Sequence, residues 1–407
     1  MIYSLYETRR VVANVVYDGA ELGARLHGAA AEFGWPAPFS RFAQATLGTL
    51  SMSRVTHERP EFGVDSAERD GRSVPVREEE VLRTPFATLQ HFVAEDGAEL
   101  PKVLIVPGLA GHFATLVRAT VKTMLADHDV YVADWHNARD VPVDEGPFGL
   151  DEYISHLIEF TEAIGPDTAL VAVCQPCVPV LAAAAIMTED ENPAAPRALI
   201  LIAGPVDARI NPGPVNETAN KYSLSTIERL AITKVSWPHK GAGRRVYPGF
   251  VQMSGFLGMA PGRHAKAFGS HFMDVLRYDD EDAARLRDFY EEYFAVLDIA
   301  AEFYLDTSRV IFREHDFARG EMRWRDRLVD PTVITQPLFT IEGENDEFCP
   351  PGQTEAAHTI CTSVPDPLRR HHLQTGVGHY GAFSGSRFEA EIYPQIREFL
   401  DPAAVPA

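Results

Sequence analysis

Residues 168–183 read Thr-Ala-Leu-Val-Ala-Val-Cys-Gln-Pro-Cys-Val-Pro-Val-Leu-Ala-Ala, and this stretch decides the fold. Its first six residues form a nearly continuous apolar run, which is typical of a strand buried on both faces of a parallel sheet. The small and apolar residues that follow Pro176 predict a helix over 178–189. The stretch therefore predicts a strand, a sharp turn at Cys174 and a helix.

Cys174 stands where a strand–turn–helix junction presents a catalytic nucleophile. Such junctions usually read G-x-S-x-G; here Ala172 replaces the first glycine, Cys174 the serine and Pro176 the last glycine. Proline is compatible with a first helical turn, where no backbone N–H is needed. The N-terminus of a helix also favours a thiolate. Cys174 is therefore the candidate nucleophile, although a buried structural cysteine after a strand is at least as common.

Other short apolar runs repeat the pattern along the chain. We predict further strands at 102–106, 129–135, 198–203, 337–342 and 372–374. We predict helices between them at 112–127, 150–164 and about 352–361. Strands that alternate with helices indicate an α/β architecture with a mostly parallel sheet and flanking helices.

Two later side chains follow strands in the order nucleophile, acid, histidine that α/β-hydrolases use. Asp346 follows P-L-F-T-I-E-G, and His379 follows H-L-Q-T-G-V-G. Sheets of this class bind their ligands at the carboxyl ends of the strands. We therefore predict an α/β-hydrolase fold with a Cys174–His379–Asp346 triad. Asp207, which follows the strand at 198–203, is the rival acid.

An oxyanion hole in this fold combines two backbone N–H groups. Gln175, the residue after the nucleophile, supplies the first. The second comes from the loop after the strand at 102–106, and we predict Leu109 as this donor. Gly108 and Gly111 would let the backbone approach a substrate closely, but a plain strand–helix turn explains these glycines equally well.

The rest of the chain predicts four segments. Residues 1–80 form a helical N-terminal segment with a polar linking segment at 55–80, residues 81–210 and 331–407 form the two parts of the hydrolase core, and residues 211–330 form an inserted helical cap. The N-terminal helices are indicated by apolar residues at helical spacing: Val11, Val15, Val16, Leu22 and Leu26.

The predicted cap is dense in aromatic residues. Apolar side chains over 286–304 fall on one helical stripe, which predicts a single packed helix. The aromatic residues that could contact an apolar substrate are Trp237, Tyr247, Phe250, Phe256, Phe268, Phe272 and Tyr278. For most of them individually, packing inside the cap is the simpler role.

Charge and cysteine content narrow the functional classes. The formal net charge is −21, with 37 basic and 58 acidic residues, which disfavours nucleic acids and anionic membranes. Cys174 and Cys177 form a C-x-x-C, a spacing found in zinc and redox sites. A structural zinc site needs a second close pair, but Cys349 and Cys361 lie twelve residues apart. We therefore predict neither metal nor cofactor.

Several stretches together resemble the intracellular poly(3-hydroxybutyrate) depolymerase family. They are P-K-V-L-I-V and G-H-F-A-T-L within 101–116, D-H-D-V-Y-V-A-D-W at 127–135, A-V-C-Q-P-C-V-P-V-L-A-A at 172–183, R-I-N-P at 209–212, G-R-R-V-Y-P-G-F at 243–250, G-Q-T-E-A-A-H at 352–358 and H-H-L-Q-T-G-V-G-H-Y-G at 371–381. The resemblance implies an α/β-hydrolase that degrades stored polyester. It also implies Cys174 as nucleophile, Asp346 as acid and His379 as base.

The chain departs from the family pattern at two points. The loop at Pro107-Gly108-Leu109 differs from the expected sequence, and Cys177 stands where serine is commoner. The first departure leaves the second oxyanion donor open. The second raises the question of which cysteine is the nucleophile. Its position favours Cys174, because Cys174 directly follows the strand whereas Cys177 would already lie in the helix.

Two other functions remain open at this point. A polyhydroxyalkanoate synthase-like acyltransferase would share the fold and the triad, but such enzymes usually carry glycine on both sides of the cysteine. An inactive granule-associated protein would not need an intact triad. The N-terminus carries charges before any apolar run, so we expect a cytoplasmic protein without membrane insertion. Its expected partners are the polyester on storage granules and granule-coat proteins, not nucleic acid.

Overall fold

The computed structural model describes residues 2–32, 37–259 and 261–401. Their strands are β1 Ser66–Arg69, β2 Arg72–Arg83, β3 Ala87–Ala94, β4 Lys102–Val106, β5 Asp129–Trp135, β6 Ala169–Val173, β7 Ala198–Ile202, β8 Thr233–Lys234, β9 Arg245–Tyr247, β10 Ile299–Ala300, β11 Arg323–Trp324, β12 Arg327–Leu328, β13 Leu338–Gly343 and β14 Arg369–Gln374.

The helices of the same residues cover the sheet and form most of the segment between β7 and β13. They are α1 Ile2–Glu32, α2 Ala37–Ser51, α3 Arg118–Met124, α4 Leu150–Ile164, α5 Cys177–Glu189, α6 Pro214–Lys221, α7 Leu224–Ala231, α8 Gly249–Met259, α9 Pro261–Arg277, α10 Asp280–Phe294, α11 Ala301–Val310, α12 Asp316–Arg319, α13 Ala357–Ile360 and α14 Tyr393–Leu400. None of the described helices is long and apolar enough to span a membrane.

Nine strands form one sheet in the order β1-β2-β3-β5-β4-β6-β7-β13-β14. The six strands from β5 to β14 run parallel, and β1, β2 and β3 add an antiparallel edge. This is the α/β-hydrolase fold that the sequence predicts. All six parallel strands end at the same edge of the sheet, which gathers the segments that follow them.

The central strands are buried because both faces of the sheet are covered. Every residue of β6 and β7 is buried. Leu104, Leu170 and Leu199 face one core, with side chains from α4 and α5. Ile105 and Val171 face the second core, with side chains from α3 and α14. Burial on both faces explains why these strands read as continuous apolar runs.

The segment 55–80, predicted as a polar linking segment, instead contains β1 and most of β2. The prediction was wrong because most residues of β2 are exposed or half-buried and carry charges. An antiparallel edge needs apolar residues on one face only, so it lacks the continuous apolar run that marks a central strand. β3 was missed as well, although most of it is buried.

Between β7 and β13 the described residues form seven helices, α6 to α12, with short strands among them. The single packed helix predicted over 286–304 is wrong, because α10 ends at Phe294 and α11 begins only at Ala301. Asp298 lies in the break and is fully buried, where its carboxylate accepts a hydrogen bond from Gly249 N at 2.8 Å. The segment boundaries at 80, 210 and 330 stay predictions.

Candidate active site

The backbone places Cys174 at a sharp turn between β6 and α5. Its φ is +70°, a left-handed conformation that a residue with a side chain adopts at a cost. The turn is closed by Cys174 N, which donates to Ile202 O at 2.8 Å. Pro176 is the N-cap of α5, one position earlier than the first helical turn. The Cys174 side chain remains partly exposed at the carboxyl edge of the sheet.

Gly204 shows how tightly this turn is packed. A Cβ on Gly204 would lie 2.1 Å from Cys177 Sγ and 2.4 Å from Cys174 O, so only glycine fits there. Cys177 is completely buried, and its Sγ donates to Ala172 O at 3.7 Å. Burial raises the pKa of Cys177 well above its usual value, which keeps it a neutral thiol. Its position is therefore structural.

The loops after β13 and β14 bring Asp346 and His379 together. Asp346 Oδ2 accepts a hydrogen bond from His379 Nδ1 at 2.7 Å, and both side chains are buried. Asp346 Oδ1 accepts from the backbone N–H groups of Phe348 and Cys349, at 2.8 Å each. The Cys174 sulfur lies near the same ring and helps to raise the pKa of His379. The three side chains therefore lie in the order Cys174, His379 and Asp346.

The charge of this group sets the protonation of His379. Burial would lower the pKa of the imidazole, but the neighbouring Asp346 carboxylate and Cys174 sulfur raise the pKa of His379 well above 6.5. A protonated His379 can donate to Asp346 through Nδ1 and keeps its second N–H for a leaving group. The arrangement can thus supply a nucleophilic sulfur and a proton donor in contact with each other.

Asp207, the rival acid, is engaged elsewhere. Its carboxylate accepts two hydrogen bonds from the Arg209 guanidinium, at 2.9 and 2.7 Å. These hydrogen bonds hold the pKa of Asp207 below its usual value. The structure therefore pairs Asp346, and not Asp207, with the histidine.

The loop of the second predicted oxyanion donor, Leu109, packs against the turn at Cys174, because a Cβ on Gly108 would lie 3.5 Å from Cys174 Cβ and 3.6 Å from Gln175 N. Leu109 N donates to the side-chain Oε1 of Gln175 at 3.3 Å. Among the described residues, Gln175 Nε2 is buried and has no hydrogen-bond partner. A substrate oxygen that accepts from Leu109 N would therefore have to displace the Gln175 carboxamide.

A cavity of about 450 Å³ opens over this group. Cys174, His379 and Gln175 lie on its wall beside many apolar side chains. The insertion between β7 and β13 contributes these apolar side chains to the cavity wall: Val215, Ala219, Tyr222, Ile227, Leu230, Ala231, Tyr247, Phe256, Met259, Ile299, Phe303, Tyr304 and Phe312. The cavity wall is therefore mainly apolar, and the insertion adds the polar side chains of Thr218, Gln252, Thr307 and Ser308.

Of the seven aromatic residues predicted as substrate contacts, Tyr247 and Phe256 line this cavity. The other five lie elsewhere: Phe250 stacks on Tyr6, Phe268 packs on Tyr290, Phe272 packs on Phe42, Tyr278 lies under the Arg41 guanidinium, and Trp237 is 84% exposed. Sequence reasoning missed Tyr222, Phe303, Tyr304 and Phe312. The sequence shows that aromatic residues are dense in this segment, but it does not show which of their side chains point into the cavity.

One group of described residues has the ligand types and spacing of a cation site. Oxygen and nitrogen atoms of Glu342, Glu355 and His371 lie within 4.8 Å of one another. Glu342 already accepts hydrogen bonds from the backbone N–H groups of Gly352, Thr354 and Glu355. Its carboxylate therefore orders the loop after β13, and this arrangement does not call for a metal.

Residues 203–404 match a family described as "PHB de-polymerase C-terminus". No curated protein sequence matches the chain. Similar solved structures include a putative lipase from Acinetobacter baumannii AYE, at 12% identity, covering 80% of this chain and 92% of that one, with a TM-score of 0.42. Another is 2-hydroxy-6-oxo-6-phenylhexa-2,4-dienoate hydrolase from Rhodococcus sp. strain RHA1, at 12% identity, 80% and 99% coverage and a TM-score of 0.43.

Proposed function

We propose that the chain hydrolyses the ester bonds of stored poly(3-hydroxybutyrate) with Cys174 as nucleophile, because its residues 203–404 match the family described as "PHB de-polymerase C-terminus". The observation that carries this proposal is the grouping of Cys174, His379 and Asp346 at the floor of an apolar cavity, with His379 Nδ1 hydrogen-bonded to Asp346 Oδ2 at 2.7 Å. The oxyanion donors in this proposal are the backbone N–H groups of Gln175 and Leu109.

In the first step, the Cys174 sulfur attacks an ester carbonyl carbon, and the carbonyl oxygen becomes an oxyanion. The backbone N–H groups of Leu109 and Gln175 stabilise that oxyanion once the Gln175 carboxamide has moved aside. When the C–O bond breaks, His379 Nε2 protonates the departing alcohol oxygen. The products are a free hydroxyl chain end and a thioester on Cys174.

In the second step, water resolves the thioester. His379, now neutral, takes a proton from water while the oxygen attacks the thioester carbonyl. The C–S bond breaks, a carboxylic acid is released, and the sulfur and His379 return to their starting state. Asp346 holds the imidazole with Nδ1 towards itself throughout both steps, so that Nε2 faces the reacting atoms.

The cavity wall supports a polyester as the substrate class. Poly(3-hydroxybutyrate) offers methyl groups and ester carbonyls but no charge, so its binding relies on apolar contact. The aromatic and aliphatic side chains of the insertion supply much of that contact. In this proposal the protein works at the surface of cytoplasmic storage granules, where granule-coat proteins are its partners.

The proposal is tested by incubating the purified protein with amorphous poly(3-hydroxybutyrate) granules and measuring released 3-hydroxybutyrate monomers and oligomers. We expect release that depends on protein concentration. A synthase-like acyltransferase would release none and would instead extend polymer from 3-hydroxybutyryl-coenzyme A. An inactive granule protein would do neither. Either of these results would replace the depolymerase assignment.

The cavity aromatics give a second test, which separates polymer binding from chemistry. Tyr222→Ala and Phe256→Ala each remove apolar surface from the cavity wall. Because a polymer contacts more of the wall than a short ester does, we expect kcat/KM for polymer to fall roughly tenfold. Hydrolysis of a soluble butyrate ester should fall much less. Trp237→Ala is the matched control, since Trp237 is 84% exposed and lies outside the cavity lining. Equal losses on both substrates would show that these aromatics do not bind the polymer.

A further inference from the structure

The N-terminal helix α1 presents a broad apolar surface to solvent. The α1 apolar face consists of side chains that are between 54% and 67% exposed, namely Leu5, Val11, Val12, Val15, Val16, Leu22 and Leu26. At 3.6 residues per turn and 1.5 Å per residue, they span an arc of roughly 140° and a length of about 30 Å. Single exposed apolar residues are ordinary, but a contiguous patch of this size marks an interaction surface.

The α1 apolar face contains no ionised group. Arg9 lies at one border, Asp18 and Arg25 lie at the other, and the other exposed residues within the arc are Ser4, Thr8, Gly19 and Ala29. The chain as a whole has a formal charge of −21. An anionic lipid surface would therefore repel the protein without gaining a basic contact from this helix. A surface without charge is the electrostatic complement of the α1 apolar face.

The opposite side of α1 is fixed to the rest of the molecule. Ala20 and Ala24 are buried, and a Cβ on Gly48 of α2 would lie 3.8 Å from the Ala24 Cβ. Small residues thus let the two helices pack closely on one side. The α1 apolar face is the side that this packing leaves uncovered.

The same helix is fastened to the insertion that lines the cavity. The Tyr3 hydroxyl donates to the buried Asp298 carboxylate, which also accepts from Gly249 N, the first residue of α8. Tyr6 stacks on Phe250 of α8, with 3.7 Å between ring centroids. Helix α8 in turn supplies Phe256 to the cavity wall. An object that binds α1 is therefore held at a fixed position relative to the cavity.

We propose that the α1 apolar face adsorbs the protein to the surface of bulk polyester, and so holds the cavity near polymer chains. This inference rests on the proposed function, which supplies an uncharged and water-insoluble substrate. The α1 apolar face lies along one continuous helix, and a helix surface is convex. It therefore fits an extended surface better than it fits a pocket. Adsorption would remove seven exposed apolar side chains from water at once.

The test uses the full chain and amorphous poly(3-hydroxybutyrate) particles in a co-sedimentation assay. The variant Val12→Gln/Val15→Gln/Leu22→Gln makes the centre of the face polar without touching the cavity. The control variant Val81→Gln/Val143→Gln/Leu328→Gln changes three apolar residues that are 43%, 52% and 47% exposed elsewhere. We expect the first variant to bind particles at least about tenfold more weakly. The control should bind like the parent protein, and all three should hydrolyse a soluble butyrate ester equally.

Three results would overturn the inference. The first is that the triple variant binds particles as tightly as the parent protein. The second is that the parent protein is a dimer and the variant loses the dimer but keeps particle binding, and the third is that the parent protein binds phosphatidylserine vesicles as tightly as it binds polyester particles. The second result would assign the face to another copy of the chain. Failure of the proposed function is seen separately. If the parent protein binds particles through this face but releases no 3-hydroxybutyrate, only the depolymerase assignment is contradicted. If the parent protein and the triple variant bind particles equally and release 3-hydroxybutyrate equally, only the docking surface is contradicted.

Discussion

Cys174→Ala should abolish ester hydrolysis, with kcat/KM reduced by about ten-thousandfold or more. The reason is that Cys174 stands on the cavity floor beside His379, whereas burial raises the pKa of Cys349, another cysteine on the wall, and keeps it a neutral thiol. The fold should survive, because the side chain is partly exposed and the turn is held by the bond from Cys174 N to Ile202 O. Steady-state kinetics on a soluble butyrate ester and on polymer, together with thermal unfolding, measure both expectations.

Cys177→Ser is the matched control for this substitution. A serine hydroxyl can donate to Ala172 O as the Cys177 thiol does, and it fits the packed space against Gly204. We expect the control to keep most of its activity. The parent protein, but not Cys174→Ala, should also gain the mass of one hydroxybutyryl unit when it is quenched during turnover. An active Cys174→Ala with an inactive Cys177→Ser would move the nucleophile to Cys177.

The sequence predicts the central strands and the order of the candidate triad for the same physical reason. A strand buried on both faces must be apolar throughout, so β4 to β7 and β13 are visible as runs. The residues just after such strands lie at one edge of the sheet. Cys174, Asp346 and His379 could therefore be grouped without knowing any distance between them.

Periodicity alone does not say which way a side chain points. Val15 and Leu22 have the spacing of a core-facing stripe, yet both are exposed on α1. The apolar stripe over 286–304 likewise gives no sign of the break between α10 and α11. Asp298, a charged residue within an apolar run, was the feature of the sequence that indicated this break. The residues of the cavity wall could not be predicted from the sequence for a related reason. Its residues come from segments far apart in the chain, and which of them face the cavity depends on how the insertion packs on the sheet.

Asp346→Asn should lower kcat/KM by roughly a hundredfold to ten-thousandfold and change its dependence on pH. An asparagine oxygen can still accept from Phe348 N and Cys349 N, but its NH₂ group would then face His379 Nδ1. That contact favours the ring form with the proton on Nε2, which cannot act as the base for water. Loss of the carboxylate charge also lowers the pKa of His379, which Asp346 helps to hold well above 6.5 in the parent protein.

The pH dependence separates this role from a merely structural one. Because His379 must carry a proton in the first step, activity is lost as pH rises through the pKa of His379. A lower pKa in Asp346→Asn therefore shifts the alkaline limb of the kcat/KM profile to lower pH, whereas a loosened fold would reduce the amplitude without moving the limb. Asp207→Asn is the control, since Asp207 pairs with Arg209 and should leave both amplitude and limb nearly unchanged. If Asp207→Asn were the more damaging substitution, Asp346 would not be the acid that orients His379.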